Sequence, residues 1–209
     1  MKIAVVAANG RVGRAVVIEA YQRKHIVTAF GRGENKTITS RFTDKDLFYI
    51  TKEDLEGCDA VVDAFGVWIP SLFANYAASV KHLCKLLRKT DTQLVIVGNA
   101  GILYTDESHT EQLMDTPQYP SAFRGVAAAA GEALTEVRKH DDVLWTYLVP
   151  ANNFQPDGLR TRKYLFAGEE WTKNEFNQSV ISYGDYASAL LDIIESGECI
   201  HEVVSVYRA

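Results

Sequence analysis

The chain has 209 residues, 47% of them apolar, with 22 basic against 27 acidic side chains and a net charge of −5. That is material for one packed core, and the modest acidic balance, without any block of like charges, argues against a general binder of phosphate backbones; nucleic acid is not an expected partner. No stretch approaches the roughly 20 apolar residues that span a bilayer, and Cys58, Cys84 and Cys199 are an odd number at wide spacings, which suits neither a disulfide framework nor a zinc site. A protein of the reducing cytoplasm, with no membrane partner, is expected.

A short β-branched run over 3–7 predicts the first strand, and an amphipathic run over 12–24 the first helix. Strands follow over 26–30, 47–50 and 60–65, and then a helix over 72–89 whose Leu72, Tyr76, Val80, Leu83 and Leu87 form one apolar stripe. A strand over 94–97, a helix over 122–139, a strand over 143–149, a helix over 186–195 and a strand over 203–207 complete the alternation. Ser182-Tyr-Gly-Asp185 reads as a capping box opening the last helix, and Gly197 lies where a left-handed residue is needed to stop it. Most strands are apolar without period-two alternation, as strands covered on both faces are. The expected architecture is α/β, a doubly wound parallel sheet of six to seven strands with helices on both faces, in one domain over 1–209. A polar loop over 105–120 and a segment over 152–181 break the pattern, and the second is expected on the substrate side.

Between the first strand and the first helix stands Ala7-Ala-Asn-Gly10-Arg-Val-Gly13. A glycine turn there lets backbone amides and the positive end of the helix dipole meet a pyrophosphate, so Ala7, Asn9, Gly10, Arg11, Val12 and Gly13 are expected to hold a dinucleotide. An acidic residue about 20 positions onward would bind a ribose 2′-hydroxyl and repel a 2′-phosphate. Here the second strand ends Thr28-Ala-Phe-Gly-Arg32, with no carboxylate before Glu34. Arg32, aided by Arg11, offers a planar cation for a phosphate monoester, and NADP(H) is favoured over NAD(H).

Together with that turn and strand end, Asp59-Ala-Val-Val-Asp-Ala-Phe-Gly66, Leu144-Trp-Thr-Tyr-Leu-Val-Pro-Ala151 and Ile181-Ser-Tyr-Gly-Asp-Tyr-Ala187 make the sequence resemble the atypical short-chain dehydrogenase-like NAD(P)H-binding proteins, the NADH-flavin reductase group related to biliverdin reductase B and NmrA-like proteins. The resemblance spans nearly the whole chain. It implies a Rossmann-like fold in which Phe65 and Gly66 line the cofactor, Asn99 and Ala100 follow the fifth strand beside the nicotinamide, and Pro150, Ala151 and Phe154 bound its other side. Arg160 and Tyr164 match the family's Arg-Thr-x-x-Tyr segment and would face the substrate with Phe154. There are two departures: Ala7 replaces the first glycine, and Phe48-Tyr-Ile-Thr51 replaces a Gly-Asp pair after the third strand, so the adenine side is unassigned.

Short-chain dehydrogenases move a proton with a Tyr and a Lys four residues later on one helix face. None of the ten tyrosines has that lysine, and the helix that should carry the pair reads Ser121-Ala-Phe-Arg-Gly-Val-Ala127. Hydride transfer to a flavin or similar conjugated acceptor needs less of the protein, because the acceptor delocalises charge and solvent can supply the proton. The expectation is an NADPH-dependent reductase of such a small molecule, with no assigned catalytic side chain and no metal, acting as a monomer or homodimer. The alternatives are an NADP-binding redox sensor without turnover and a sugar-nucleotide epimerase or dehydratase.

Overall fold

A computed structural model describes residues 1–209. The chain runs β1 (Lys2–Val6), α1 (Arg11–Gln22), β2 (Ile26–Gly31), β3 (Phe42–Asp44), β4 (Ala60–Asp63), α2 (Asn75–Leu87), β5 (Gln93–Val97), α3 (Ser121–Val137), β6 (Trp145–Pro150), β7 (Asn153–Gln155), β8 (Tyr164–Ala167), β9 (Val180–Ser182), α4 (Tyr183–Ser196) and β10 (Glu202–Arg208). Eight strands form one sheet in the order β3-β2-β1-β4-β5-β6-β10-β8, parallel except for β8, which runs against β10. This is a Rossmann-like doubly wound sheet.

The sheet is covered on both faces because its strands are apolar on both. In β1, Ala4 and Val6 join the core beneath α2 and α3, while Ile3 and Val5 join the core beneath α1 and α4. All four are essentially inaccessible to solvent, which is why the strand reads as a continuous apolar run. No helix is long and apolar enough to cross a membrane.

Three expectations need correction. Residues 47–50 are not a strand: Leu47–Tyr49 is a 3-10 turn, and the third strand is Phe42–Asp44. Leu47 and Ile50 are buried while Phe48 and Tyr49 between them are exposed, and that spacing of three is the period of a turn, which Asp46 caps by accepting the Phe48 amide at 3.0 Å. The helix predicted from 72 starts at Asn75, because Pro70 opens a separate turn over Pro70–Leu72 that leaves Leu72 exposed. Finally, the sheet has eight strands because the 152–181 segment folds back and adds β8 to its edge. The same segment gives β7, which pairs with β9 in a small parallel sheet.

Candidate cofactor site

The sheet order reverses between β1 and β4, whose helices lie on opposite faces, and the crevice beyond their carboxyl ends is where such sheets bind ligands. The glycine turn sits there. Ala7 takes a left-handed φ of 55° and its carbonyl accepts the Gly10 amide at 3.0 Å, closing the turn. A Cβ on Gly13 would lie 2.7 Å from the Ala7 oxygen and 2.8 Å from the Ala8 Cα, so only glycine lets α1 pack this closely on β1.

The amides of Arg11, Val12 and Gly13 open α1, where no intrahelical carbonyl is available to them. Gly10, at the cap position, has no side chain to offer, and the first turn carries no acid. At α4, by contrast, the Ser182 hydroxyl accepts the Asp185 amide at 3.0 Å. The starts of α2 and α3 also lack a side-chain cap, but that of α1 alone follows the glycine turn, whose backbone fits the pyrophosphate of a dinucleotide.

A cavity of about 330 Å³ opens beside this turn. Ala7, Asn9 and Gly10 line it from the turn, Gly31 and Arg32 from the end of β2, and Lys45 to Phe48 from beyond β3. Ala64 to Val67 close it beyond β4, with Leu72 and Asn75. Asn9 braces one wall: its amide nitrogen donates to the carbonyls of Arg32 at 3.0 Å and Glu34 at 2.9 Å, and its oxygen accepts the Lys36 amide at 2.9 Å. Arg32 is 82% exposed, with its Nε 3.7 Å from an Asp46 oxygen. Asp46 and Leu47 thus line this cavity from beyond β3; the sequence signal for them is an Asp-Leu pair two residues past a short strand.

Beneath the far wall, Asp63 ends β4 fully buried. It accepts the Phe65 amide and the Ser79 hydroxyl, both at 3.0 Å, and burial pushes its carboxyl up to about 6 despite those bonds. The Tyr76 hydroxyl takes the Val67 amide at 3.1 Å and donates to the Val67 carbonyl at 3.2 Å, pinning the following loop to α2.

A sequence model of NAD(P)H-binding proteins matches residues 7–197, from the first residue of the glycine turn to the glycine that stops α4. The chain belongs to this NAD(P)H-binding family. It is 37% identical over 209 residues to the Bacillus subtilis protein YwnB, covering 99% of this chain and 98% of that one. Among solved structures, a Streptococcus pneumoniae protein described as a putative NADH-flavin reductase is 44% identical, with a TM-score of 0.97 over the whole of both chains. A Bacteroides thetaiotaomicron protein described as a putative epimerase is 26% identical, with a TM-score of 0.86 over 99% of this chain and 96% of that one.

Of the residues expected to contact the family's coenzyme, the cavity gathers Ala7, Asn9, Gly10, Arg32, Phe65 and Gly66. Val12 and Gly13 lie behind the turn, packed toward the α1 core. Arg11 lines a neighbouring cleft with Arg14, Lys36 and Tyr183. Asn99 and Ala100 follow β5, where the Asn99 side-chain oxygen accepts the Gly101 amide at 2.8 Å and the Tyr119 hydroxyl at 3.3 Å. Pro150 ends β6 and Ala151 follows it, donating its amide to the Val206 carbonyl, and Phe154 packs against Tyr183 and Tyr186. These five stand beyond the cavity.

On α3, Ala127 lies four residues after Phe123, the spacing that a Tyr/Lys pair would need. A Cβ on Gly101 would lie 2.5 Å from the Ala127 methyl, so the turn after β5 packs directly on this helix and leaves no room for a longer side chain. Tyr119, just ahead of α3, is the tyrosine whose hydroxyl reaches Asn99, and burial raises its pKa, which keeps it a donor.

Arg160 and Tyr164 are not brought to the cavity. Arg160 pairs with the buried Glu19 and with Gln22 on α1, and Tyr164 donates to Asp192 on α4. Between them, the Thr161 amide and hydroxyl and the Arg162 amide all donate to Asp185, at 2.7, 2.8 and 2.7 Å. The Arg-Thr-x-x-Tyr segment and the Ser182–Asp185 cap are two halves of one latch. Asp185 does not return a bond to Ser182, as a capping box would; it holds the 152–181 segment down.

Proposed function

We propose that the protein is an NADPH-dependent reductase that passes hydride to a flavin or a similar conjugated small molecule, in the reducing cytoplasm. The observation that carries this reading is the uncapped start of α1 beside a cavity that has Arg32 at its edge and no carboxylate at the end of β2. When bound, the coenzyme supplies a hydride and solvent a proton, which together reduce the acceptor and leave the coenzyme oxidised. The chain's own task is binding and alignment: backbone amides at 11–13 for the pyrophosphate, Arg32 for a 2′-phosphate, Asp46 and Leu47 on the adenine side, and Phe65 and Gly66 toward the nicotinamide. The Streptococcus neighbour's description supports a flavin as acceptor.

Arg32→Ala tests the 2′-phosphate contact. A charge-assisted bond to phosphate contributes about 1.5–3 kcal/mol, and an exposed arginine belongs at the low end, so NADPH should bind about tenfold more weakly while NADH is unchanged. Equal loss for both coenzymes refutes the assignment.

A second reading, an NADP-holding redox sensor, draws on the missing Tyr/Lys pair: α3 carries no tyrosine and no lysine. Steady-state NADPH oxidation with FMN, FAD and quinones separates the two: acceptor-dependent turnover favours the reductase, and tight NADPH binding without turnover favours the sensor. The same missing pair counts against a sugar-nucleotide epimerase or dehydratase.

A further inference from the structure

Four large apolar side chains stand in solvent on the loop after β4 and the first turn of α3. Trp68 is 66% exposed, Ile69 57%, Leu72 40% and Phe123 46%. The rings of Trp68 and Phe123 meet edge to face, with centroids 5.7 Å apart and planes at 68°, so each leaves part of its surface open to a third ring. Contiguous exposed apolar patches mark interaction sites more often than isolated exposed residues do.

The pair is held firmly. Val67, the neighbour of Trp68, is fixed on both its amide and its carbonyl by the Tyr76 hydroxyl. The same loop docks on α3 through Phe73, whose ring fills the space over Gly125 so closely that a Cβ there would lie 2.6 Å from it. Phe123 is one turn ahead of Ala127 on the same face of α3, and Ala127 abuts the turn that follows β5. The corner is also continuous with the cofactor cavity, because Val67 and Leu72 line that cavity from the same loop. An exposed aromatic angle thus begins where the cavity ends, beside the carboxyl ends of β4 and β5.

We propose that Trp68 and Phe123 form the seat of the hydride acceptor, a planar conjugated ring system of the isoalloxazine type that stacks in their angle. This rests on the reductase reading given above and adds the residues that recognise its second substrate. Stacking on fixed rings supplies the alignment that the chemistry requires, without a dedicated acid or base at the seat.

Lumiflavin, which carries the ring without phosphate or ribityl chain, is the probe. Titrated into the NADP⁺-saturated protein, its fluorescence should be quenched on stacking. Trp68→Ala should weaken its binding by about tenfold or more and Phe123→Ala by several-fold, while Trp68→Phe keeps most of the affinity. Calorimetry should give one NADP⁺ affinity for all four proteins, which also establishes that the variants are folded. Failure of lumiflavin to bind the wild type, or equal affinity in wild type and both alanine variants, overturns the proposal. So does a wild-type dimer that the alanine variants convert to monomer with lumiflavin binding intact, since the corner would then be a contact with a second copy. Lumiflavin binding that depends on Trp68, without NADPH oxidation, keeps the seat and removes the reductase reading. Normal NADPH oxidation with an unchanged acceptor KM in both alanine variants does the reverse.

Discussion

Ala7 and Gly10 occupy two corners of the same turn but answer to different constraints, and a pair of substitutions separates them. In a dinucleotide turn the first glycine permits the tight bend and the second lets the backbone approach the pyrophosphate. Ala7 holds the first position at φ 55°, where an L-residue is penalised by about 1–2 kcal/mol. Glycine removes that strain but costs about 0.5–1 kcal/mol in unfolded-state entropy, so Ala7→Gly should stabilise the protein by about 0.5–1 kcal/mol. For a chain of this size that is a Tm rise of about 1–4 °C. Because the bend is already formed, the NADPH Kd should move less than about threefold. Gly10→Ala should do the opposite. Gly10 has an ordinary φ of −67°, and its added Cβ would meet only the Ala7 oxygen, at 3.2 Å, so the fold should lose less than about 1 kcal/mol. The methyl would stand where the pyrophosphate approaches, and overpacking of about 1–3 kcal/mol weakens NADPH by about tenfold or more. Thermal unfolding and calorimetry read both effects. If Ala7→Gly lowers Tm, or tightens NADPH more than tenfold, the division of roles between the two positions is wrong.

Two further predictions concern buried carboxylates, one in the latch and one beneath the cavity wall. Asp185→Ala removes the acceptor of three bonds from Thr161 and Arg162, the latter itself at a left-handed φ of 56°; urea unfolding should show a loss of about 3–5 kcal/mol, and limited proteolysis new cleavage within 152–181. Unchanged stability would mean that the latch adds nothing. Asp63 has a folded pKa of about 6 against an ordinary 3.8, so the folded state holds its proton more tightly and stability falls as pH rises from about 4 to 6. Relative to Asp63→Asn, the wild type should lose about 2 kcal/mol between pH 4 and pH 7.5; parallel stability profiles for the two proteins would refute the burial argument.

The parts of this molecule that were legible in its sequence are those in which one stretch of chain specifies its own structure. The β1 strand, the glycine turn and the cap and stop of α4 follow from local periodicity, from the left-handed and close-packed positions of the turn, and from side chains that serve neighbouring backbone. The third strand was not legible, because Phe42–Asp44 is too short to show a period while the 3-10 turn after it buries Leu47 and Ile50 and so imitates an apolar strand. That single misplacement hid Asp46 and Leu47. The latch was illegible for a different reason. Asp185 lies more than 20 residues from Thr161 and Arg162, and nothing in either segment alone distinguishes a carboxylate reserved for backbone amides from one that closes a capping box.

The latch also bears on how the acceptor of the proposed reaction would be recognised. Arg160 and Tyr164, polar groups suited to an anionic or hydrogen-bonding ligand, are committed to Glu19, Gln22 and Asp192 within the chain. Arg11, Arg14 and Lys36 lie in a separate cleft on the α1 side, and Arg32 sits at the edge of the cofactor cavity. At the corner of Trp68 and Phe123 the large exposed surfaces are instead apolar and aromatic. On the proposal made above, recognition there would depend on ring shape and polarisability, which admits several flat acceptors and discriminates weakly among their charged tails. On the reading proposed above, the enzyme should distinguish its coenzymes more sharply than its acceptors, since an arginine tells a phosphate from a hydroxyl, whereas an aromatic angle tells one planar ring from another only by how well each fits.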